Sequence, residues 1–275
     1  MCEIFFIHGK NKAVQNQNFL NFLLTAIEEA STSNADGFGV FNEEGEVYKS
    51  EERFSYEYLS EVYKRFNDSR FVVLHLRMAT EGAVIKKNSH PFRHNSNILV
   101  HNGMVTTPSI YEEGRADSYQ MLRDIYKRKG HDTVKAVKQS LEKTSGSVSV
   151  FLYDYKDDLY YFRDGSDFTF AEIPDSNELV GATRESRLYT AFGEENLKIR
   201  YPEENQIYHL KDGEIQEIAD FEMENITRSS TDSVYGYGHG YGRRTNVIKE
   251  SDYEKYKKEK TRREEENQPL KELFE

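Results

Sequence analysis

Apolar positions are almost continuous at the start of the chain, Cys2-Glu3-Ile4-Phe5-Phe6-Ile7, and stop at His8-Gly9-Lys10. A run this short that ends at a glycine predicts a buried strand. Leu20, Leu23, Leu24 and Ile27 then recur at helical spacing, until Ser31-Thr32-Ser33-Asn34-Ala35-Asp36-Gly37 breaks the pattern. Phe38-Gly39-Val40-Phe41 and Glu46-Val47-Tyr48, joined by Asn42-Glu43-Glu44-Gly45, predict a hairpin. Residues 55–66 suit a helix with Tyr58, Leu59, Val62 and Phe66 near one face. Phe71-Val72-Val73-Leu74-His75-Leu76 predicts a second buried strand, and Ile98-Leu99-Val100 a short one that runs into a sharp turn at His101-Asn102-Gly103.

Met121, Leu122, Ile125 and Tyr126 mark a helix that begins near Asp117. Asp132 caps a second helix carrying Val134, Val137 and Leu141, which breaks at Thr144-Ser145-Gly146. Strands dominate afterwards: 147–153 paired with 158–163 across Tyr155-Lys156-Asp157, then 168–172 and 178–182. A short helix at 186–192 precedes a final hairpin, 206–210 with 214–218, through Lys211-Asp212-Gly213. The pattern changes after residue 228. Residues 229–244, with alternating Gly and Tyr from Val234 to Gly242 and then Arg243-Arg244, lack the apolar content for a core and read as a linker. Residues 245–275 form a charged tail, disordered or partly helical, whose apolar cluster is Leu270, Leu273 and Phe274.

With 275 residues and 37% hydrophobic content, the chain can bury one substantial core. A formal net charge of −11 weighs against nucleic acid as a partner of the whole surface, although a local basic patch is invisible in that sum. A single cysteine excludes an intrachain disulfide. No apolar segment approaches the roughly 20 residues that span a bilayer. The opening run carries Glu3 and lacks a basic flank, so it reads as a strand rather than a signal peptide, and the expected location is the cytoplasm.

Candidate chemistry sits where the strands end. If Met1 is removed, Cys2 carries a thiol and a free α-amine, a nucleophile and a general base in one residue. The amine titrates near ~7.7–8.0 and the thiol near ~8.5, close enough for proton transfer directly or through a water. Arg77, at the end of a buried strand, needs an anion: a protein carboxylate or the α-carboxylate of an amino acid. Asn102-Gly103 is either an ordinary turn or a pair of donors forming an oxyanion hole. Asp117 either caps its helix or receives a substrate ammonium.

Cys2, Arg77-Met78-Ala79-Thr80, His90-Pro91-Phe92, His101-Asn102-Gly103 and Ala116-Asp117-Ser118 occur in an order and spacing that resembles the class II glutamine amidotransferases, N-terminal-nucleophile enzymes, over roughly residues 2–220. Each motif is weak alone; five in order are specific together. The resemblance implies an α+β fold, a four-layer αββα sandwich of two mostly antiparallel sheets, in residues 1–228. It implies a glutaminase that cleaves the side-chain amide of L-glutamine through a Cys2 thioester and supplies ammonia to a partner synthase or ligase. Cys2 resembles the nucleophile, Asn102 and Gly103 the oxyanion hole, Arg77 the α-carboxylate clamp and Asp117 the acceptor of the α-amine. His101 falls in the substrate site, and Thr80 resembles a support for Arg77 or the Cys2 amine. No metal or organic cofactor is expected. The chain departs from the family pattern at Met78, often aromatic, at Glu81, often histidine, at Tyr119, often acidic, and in the loosely matching Ala182-Thr183-Arg184-Glu185. The alternatives are an N-terminal-nucleophile hydrolase of another amide and an inactive glutamine-binding regulatory module. Arg77 and Asp117 together suit an α-amino acid and argue against the first.

Overall fold

The computed structural model describes residues 2–10, 12–79, 83–107, 115–128, 130, 132–154 and 158–224. The expected linker and tail, the Tyr155-Lys156-Asp157 loop and Thr80 therefore lie outside the described residues. The described strands form two sheets. The first contains β1 (Glu3–Gly9), β2 (Phe38–Asn42), β3 (Val47–Ser50), β4 (Phe71–Leu76), β9 (Thr169–Ile173), β10 (Glu178–Ala182) and β11 (Lys198–Arg200), in the order β11-β9-β10-β1-β4-β2-β3. The second contains β5 (Phe92–His94), β6 (Asn97–Thr106), β7 (Ser145–Asp154), β8 (Asp158–Asp164), β12 (Gln206–Lys211) and β13 (Glu214–Asp220), in the order β13-β12-β8-β7-β6-β5. Neighbouring strands pair antiparallel throughout both sheets.

The central position of β1 explains its unbroken apolar sequence. Ile4 and Phe6 face the second sheet, where Phe6 meets Phe151 at 5.0 Å between ring centroids. Phe5, one residue out of phase, faces the other way and meets Phe22 of α1 (Asn16–Thr25) edge-on at 5.4 Å. Both faces are buried, so the strand shows no polar alternation. The helix α2 (Tyr56–Phe66) packs beside α1, with Tyr63 stacked on Phe19 at 5.8 Å, and α5 (Glu185–Phe192) contacts both α1 and β10. On the second sheet, α3 (Asp117–Arg128) and α4 (Thr133–Leu141) bury Met121, Leu122, Ile125, Val137 and Leu141 against Leu99, Val150, Leu152 and Phe162. Each fully buried side chain of this size stabilises by about 1.5–3 kcal/mol, which fixes helix, sheet, sheet and helix as successive layers.

The expected sharp turn at His101-Asn102-Gly103 is absent. Strand β6 continues through these residues to Thr106, paired with β7 in register from Asn97↔Asp154 to Thr106↔Ser145. Local Asn-Gly chemistry suggested a turn, but ten consecutive ladder partners override it. Gly103 still departs from ordinary strand geometry, with φ +139°, and a Cβ there would collide with the Ser147 carbonyl and approach His101 Nε2 to 2.8 Å.

Candidate active site

The site lies where β1 begins, at the junction with the loop after β4 and beside β6. Cys2 is half-buried. Its Sγ accepts the Met78 N–H at 3.3 Å and lies 3.4 Å from the Met78 carbonyl. Burial pushes the Cys2 thiol up, the Met78 N–H and Arg77 pull it back, and Asp117 pushes it up again. The resting group is thus a neutral thiol that needs a base to become a nucleophile.

Two sets of contacts fix the start of β1. The Ile4 N–H donates to Thr183 Oγ1 at 2.9 Å, and the Thr183 N–H returns to the Ile4 carbonyl at 3.0 Å. Glu3 Oε1, fully buried, meets Arg184 Nε at 3.0 Å and Arg187 Nη2 at 3.4 Å, while Arg187 Nη1 reaches Glu29 at 3.2 Å. Burial raises the Glu3 carboxyl, opposed by Arg187 and Arg184. The Thr183-Arg184 segment, which matches the family pattern only loosely, serves here as the anchor of the Cys2 strand.

Arg77 is 4% exposed, and its Nη1 donates to the Ala83 carbonyl at 3.1 Å. Burial lowers its pKa, while Cys2, Asp36 and Asp117 act in the opposite direction, so these four side chains share one electrostatic neighbourhood. Asp36 is a site residue that the sequence concealed as part of a polar helix stop. Its Oδ2 accepts the Ala79 N–H at 2.8 Å, its own N–H donates to the Arg77 carbonyl at 3.0 Å, and the Arg77 N–H donates to Gly37 at 2.8 Å. This cluster clamps the Arg77-Met78-Ala79 segment against the loop before β2.

Across the seam, Asn102 is 1% exposed and its Nδ2 has no hydrogen-bond partner among the described residues. A buried amide donor without an acceptor is costly, by about 1–3 kcal/mol, and is the kind of group a substrate oxygen would satisfy. Asp117 opens α3 and is tied to β6: Oδ2 accepts the Val105 N–H at 2.9 Å, and Oδ1 accepts the Ser118 N–H at 2.7 Å. The His101 ring is buried at 2% exposure, with Nδ1 2.8 Å from Ser118 Oγ and Nε2 3.2 Å from the Ser147 carbonyl. Burial lowers its pKa, opposed by Asp117 and Ser147, and keeps it neutral. His90, from the His-Pro-Phe motif, lies deeper and faces His75 at 4.1 Å between ring centroids. Burial holds both imidazoles neutral, His75 down to about 3. Among the described residues no group of three or more His, Cys, Asp or Glu side chains is arranged to hold a metal ion. No described helix is long and apolar enough to cross a membrane.

The family model for class II glutamine amidotransferases matches residues 1–143. Glutamine–fructose-6-phosphate aminotransferase (isomerizing) from Buchnera aphidicola is 24% identical over 161 residues, covering 52% of this chain and 26% of that protein. Among solved structures, the glutamine phosphoribosylpyrophosphate amidotransferase of B. subtilis, complexed with ADP and GMP, superimposes with a TM-score of 0.59 at 18% identity, covering 81% of this chain and 50% of that one. A glutamine aminotransferase class-II domain protein from Silicibacter pomeroyi gives a TM-score of 0.51 at 13% identity, covering 80% of this chain and all of that one. The chain thus spans about half the length of the first of these solved relatives and about a quarter of the curated one. At these identities the structural likenesses speak to the fold alone, two antiparallel sheets between helical layers.

Proposed function

The chain belongs to the class II glutamine amidotransferases, and from that premise we propose that it hydrolyses the side-chain amide of L-glutamine through a thioester on Cys2 and delivers the ammonia to a partner synthase or ligase. The observation that carries the reading is the buried, unpartnered amide of Asn102, set in the strand that faces the start of β1. Once Met1 is removed, the α-amine of Cys2 takes the thiol proton, and the thiolate attacks the amide carbon. The tetrahedral oxyanion is held by Asn102 Nδ2–H and the Gly103 N–H. The departing nitrogen receives the proton from the Cys2 amine and leaves as ammonia; water then cleaves the γ-glutamyl thioester, releases glutamate and restores the thiol.

Arg77 and Asp117 hold the two charged ends of the substrate, carboxylate and ammonium. Because burial raises the Cys2 thiol, the base is indispensable at neutral pH. Thr80 is proposed to support the Arg77 loop or the Cys2 amine, and the activity is assigned to residues 1–228. Met78 and Met104, at 43% and 53% exposure, lie beside the Cys2 contact and Gly103, where an ammonia-accepting partner would cover the site. The cytoplasm is the proposed setting.

The test is a coupled assay of ammonia and glutamate release from glutamine, run on the wild-type chain and on Cys2→Ala. Equal molar release by wild type and none by Cys2→Ala is expected. Glutamine binding without release by the wild-type chain would instead identify a regulatory module. Cleavage of other amides in preference to glutamine would identify a different hydrolase.

A further inference from the structure

His101 belongs to the motif that carries the oxyanion donors, yet its ring is buried behind them and both of its nitrogens are engaged. The partners fix the tautomer. Nε2 faces a carbonyl, Ser147 O at 3.2 Å, which only accepts, so Nε2 carries the hydrogen. In the neutral ring Nδ1 is then a lone pair, and the hydroxyl of Ser118, 2.8 Å away, must be the donor.

The same hydroxyl has a second possible acceptor. Ser118 Oγ lies 3.2 Å from Asp117 Oδ1, and a hydroxyl has one proton to give. Asp117 already receives two backbone donors, Ser118 N–H on Oδ1 and Val105 N–H on Oδ2. A third donor, from Ser118, would occupy the remaining lone pair of Oδ1 and offset the charge that attracts an ammonium. Ser118 is itself 3% exposed, so its proton cannot turn to bulk water.

We propose that His101 is a positioning residue that draws the Ser118 hydroxyl proton onto its Nδ1 and thereby keeps Asp117 open to the α-ammonium of glutamine. This inference rests on the proposed glutaminase reading and deepens it. It assigns His101 no contact with substrate: its effect passes through Ser118 to Asp117.

The experiment is a two-residue cycle. His101→Phe keeps a ring in the cavity but offers Ser118 no acceptor, so the hydroxyl turns to Asp117. KM for glutamine should rise at least about tenfold, the scale of one charge-assisted hydrogen bond, with a smaller change in kcat. Ser118→Ala alone removes the competing proton and should leave KM near wild type. The decisive variant is His101→Phe/Ser118→Ala, in which a second deletion should restore most of the lost affinity. A purely structural role predicts the opposite, a double variant as poor as His101→Phe or poorer, and that result would overturn the proposal. So would an unchanged KM in His101→Phe. The same three changes placed on Cys2→Ala, with glutamine binding followed by calorimetry, separate this inference from the glutaminase reading: loss and recovery of binding support it even if wild type shows no turnover. If His101→Phe does not fold, nitrogen NMR of the histidines in the wild-type chain decides. An Nε2–H tautomer with a hydrogen-bonded Nδ1 is expected for His101, and an Nδ1–H tautomer would refute the inference.

Discussion

Arg77→Lys isolates the substrate clamp from the chemistry. Lysine keeps the positive charge that Cys2, Asp36 and Asp117 sense but loses the planar fork that can grip a carboxylate with two parallel bonds. One charge-assisted hydrogen bond is worth about 1.5–3 kcal/mol, so glutamine binding should weaken by roughly one to two orders of magnitude. The α-carboxylate stands apart from the scissile amide and carries the same charge in ground and transition states. The loss should therefore appear as a raised KM with kcat nearly constant. The variant also gives up the bond from Nη1 to Ala83, 3.1 Å, at a cost of about 1 kcal/mol, which a domain of this size shows as a Tm shift of about 2–4 °C rather than as unfolding. The assay is steady-state glutamate release over a wide glutamine range, with a melting curve on the same sample. An unchanged kcat/KM, or a fall confined to kcat in a folded variant, would refute the clamp.

Two further outcomes follow from other parts of the molecule. Asn102→Ala removes the side-chain oxyanion donor and should lower kcat by about 10²–10³-fold with no fall in Tm, because the deleted amide has no partner among the described residues to lose and its desolvation cost goes with it; full kcat would dismiss it from the oxyanion hole. Burial holds His8 down to about 4 and His75 down to about 3, so between pH ~6.5 and these values only the unfolded chain takes up the protons. Stability should therefore be complete above pH ~6.5 and fall on acidification by about 1.4 kcal/mol per pH unit for each histidine, down to its folded pKa. Denaturant midpoints at pH 7.5 and 5.5 measure this slope. His8→Phe, which preserves the stacking place against Phe71, should lower the slope by one histidine's share, about 1.4 kcal/mol per pH unit, and an unaltered slope would contradict the assignment.

The elements easiest to read from sequence were those buried on both faces. Phe71–Leu76 matches its apolar run residue for residue, because neither face of β4 leaves room for polar alternation. The three-residue strands β5 and β11 were missed, since each lies at a sheet edge and is too short for any period to register. The apolar spacing at Leu20–Ile27 predicts the helix but not its wider end: Ala26–Ala30 is wound as a π-turn, with the Ser31 N–H reaching the Ala26 carbonyl at 2.9 Å, which the spacing of apolar residues does not reveal. At the site, Cys2, Arg77 and Asp117 each carry an ordinary structural reading when taken singly, and the family resemblance is what groups them; the fold brings their charges within mutual influence. The supporting contacts were hidden for a different reason. Asp36 reads as a turn former and Arg187 as an exposed helix residue, and only tertiary structure aims the first at Ala79 and the second at Glu3. Asn102-Gly103 reads locally as a turn, whereas the long ladder with β7 makes it a strand with one glycine in a conformation other residues avoid.

The central claim is that the α-amine of Cys2 is the base for its own thiol, and one measurement addresses it directly: glutaminase activity of the chain beginning at Cys2, verified by intact mass, beside a chain with one alanine inserted before Cys2. Insertion converts the amine to an amide that accepts no proton while leaving the thiol in place. The extended protein should fold, with an unchanged melting curve, and lose at least the ~10²–10⁴-fold that general-base assistance supplies. Full activity in the alanine-extended protein would contradict the mechanism, even if Cys2 itself proved essential.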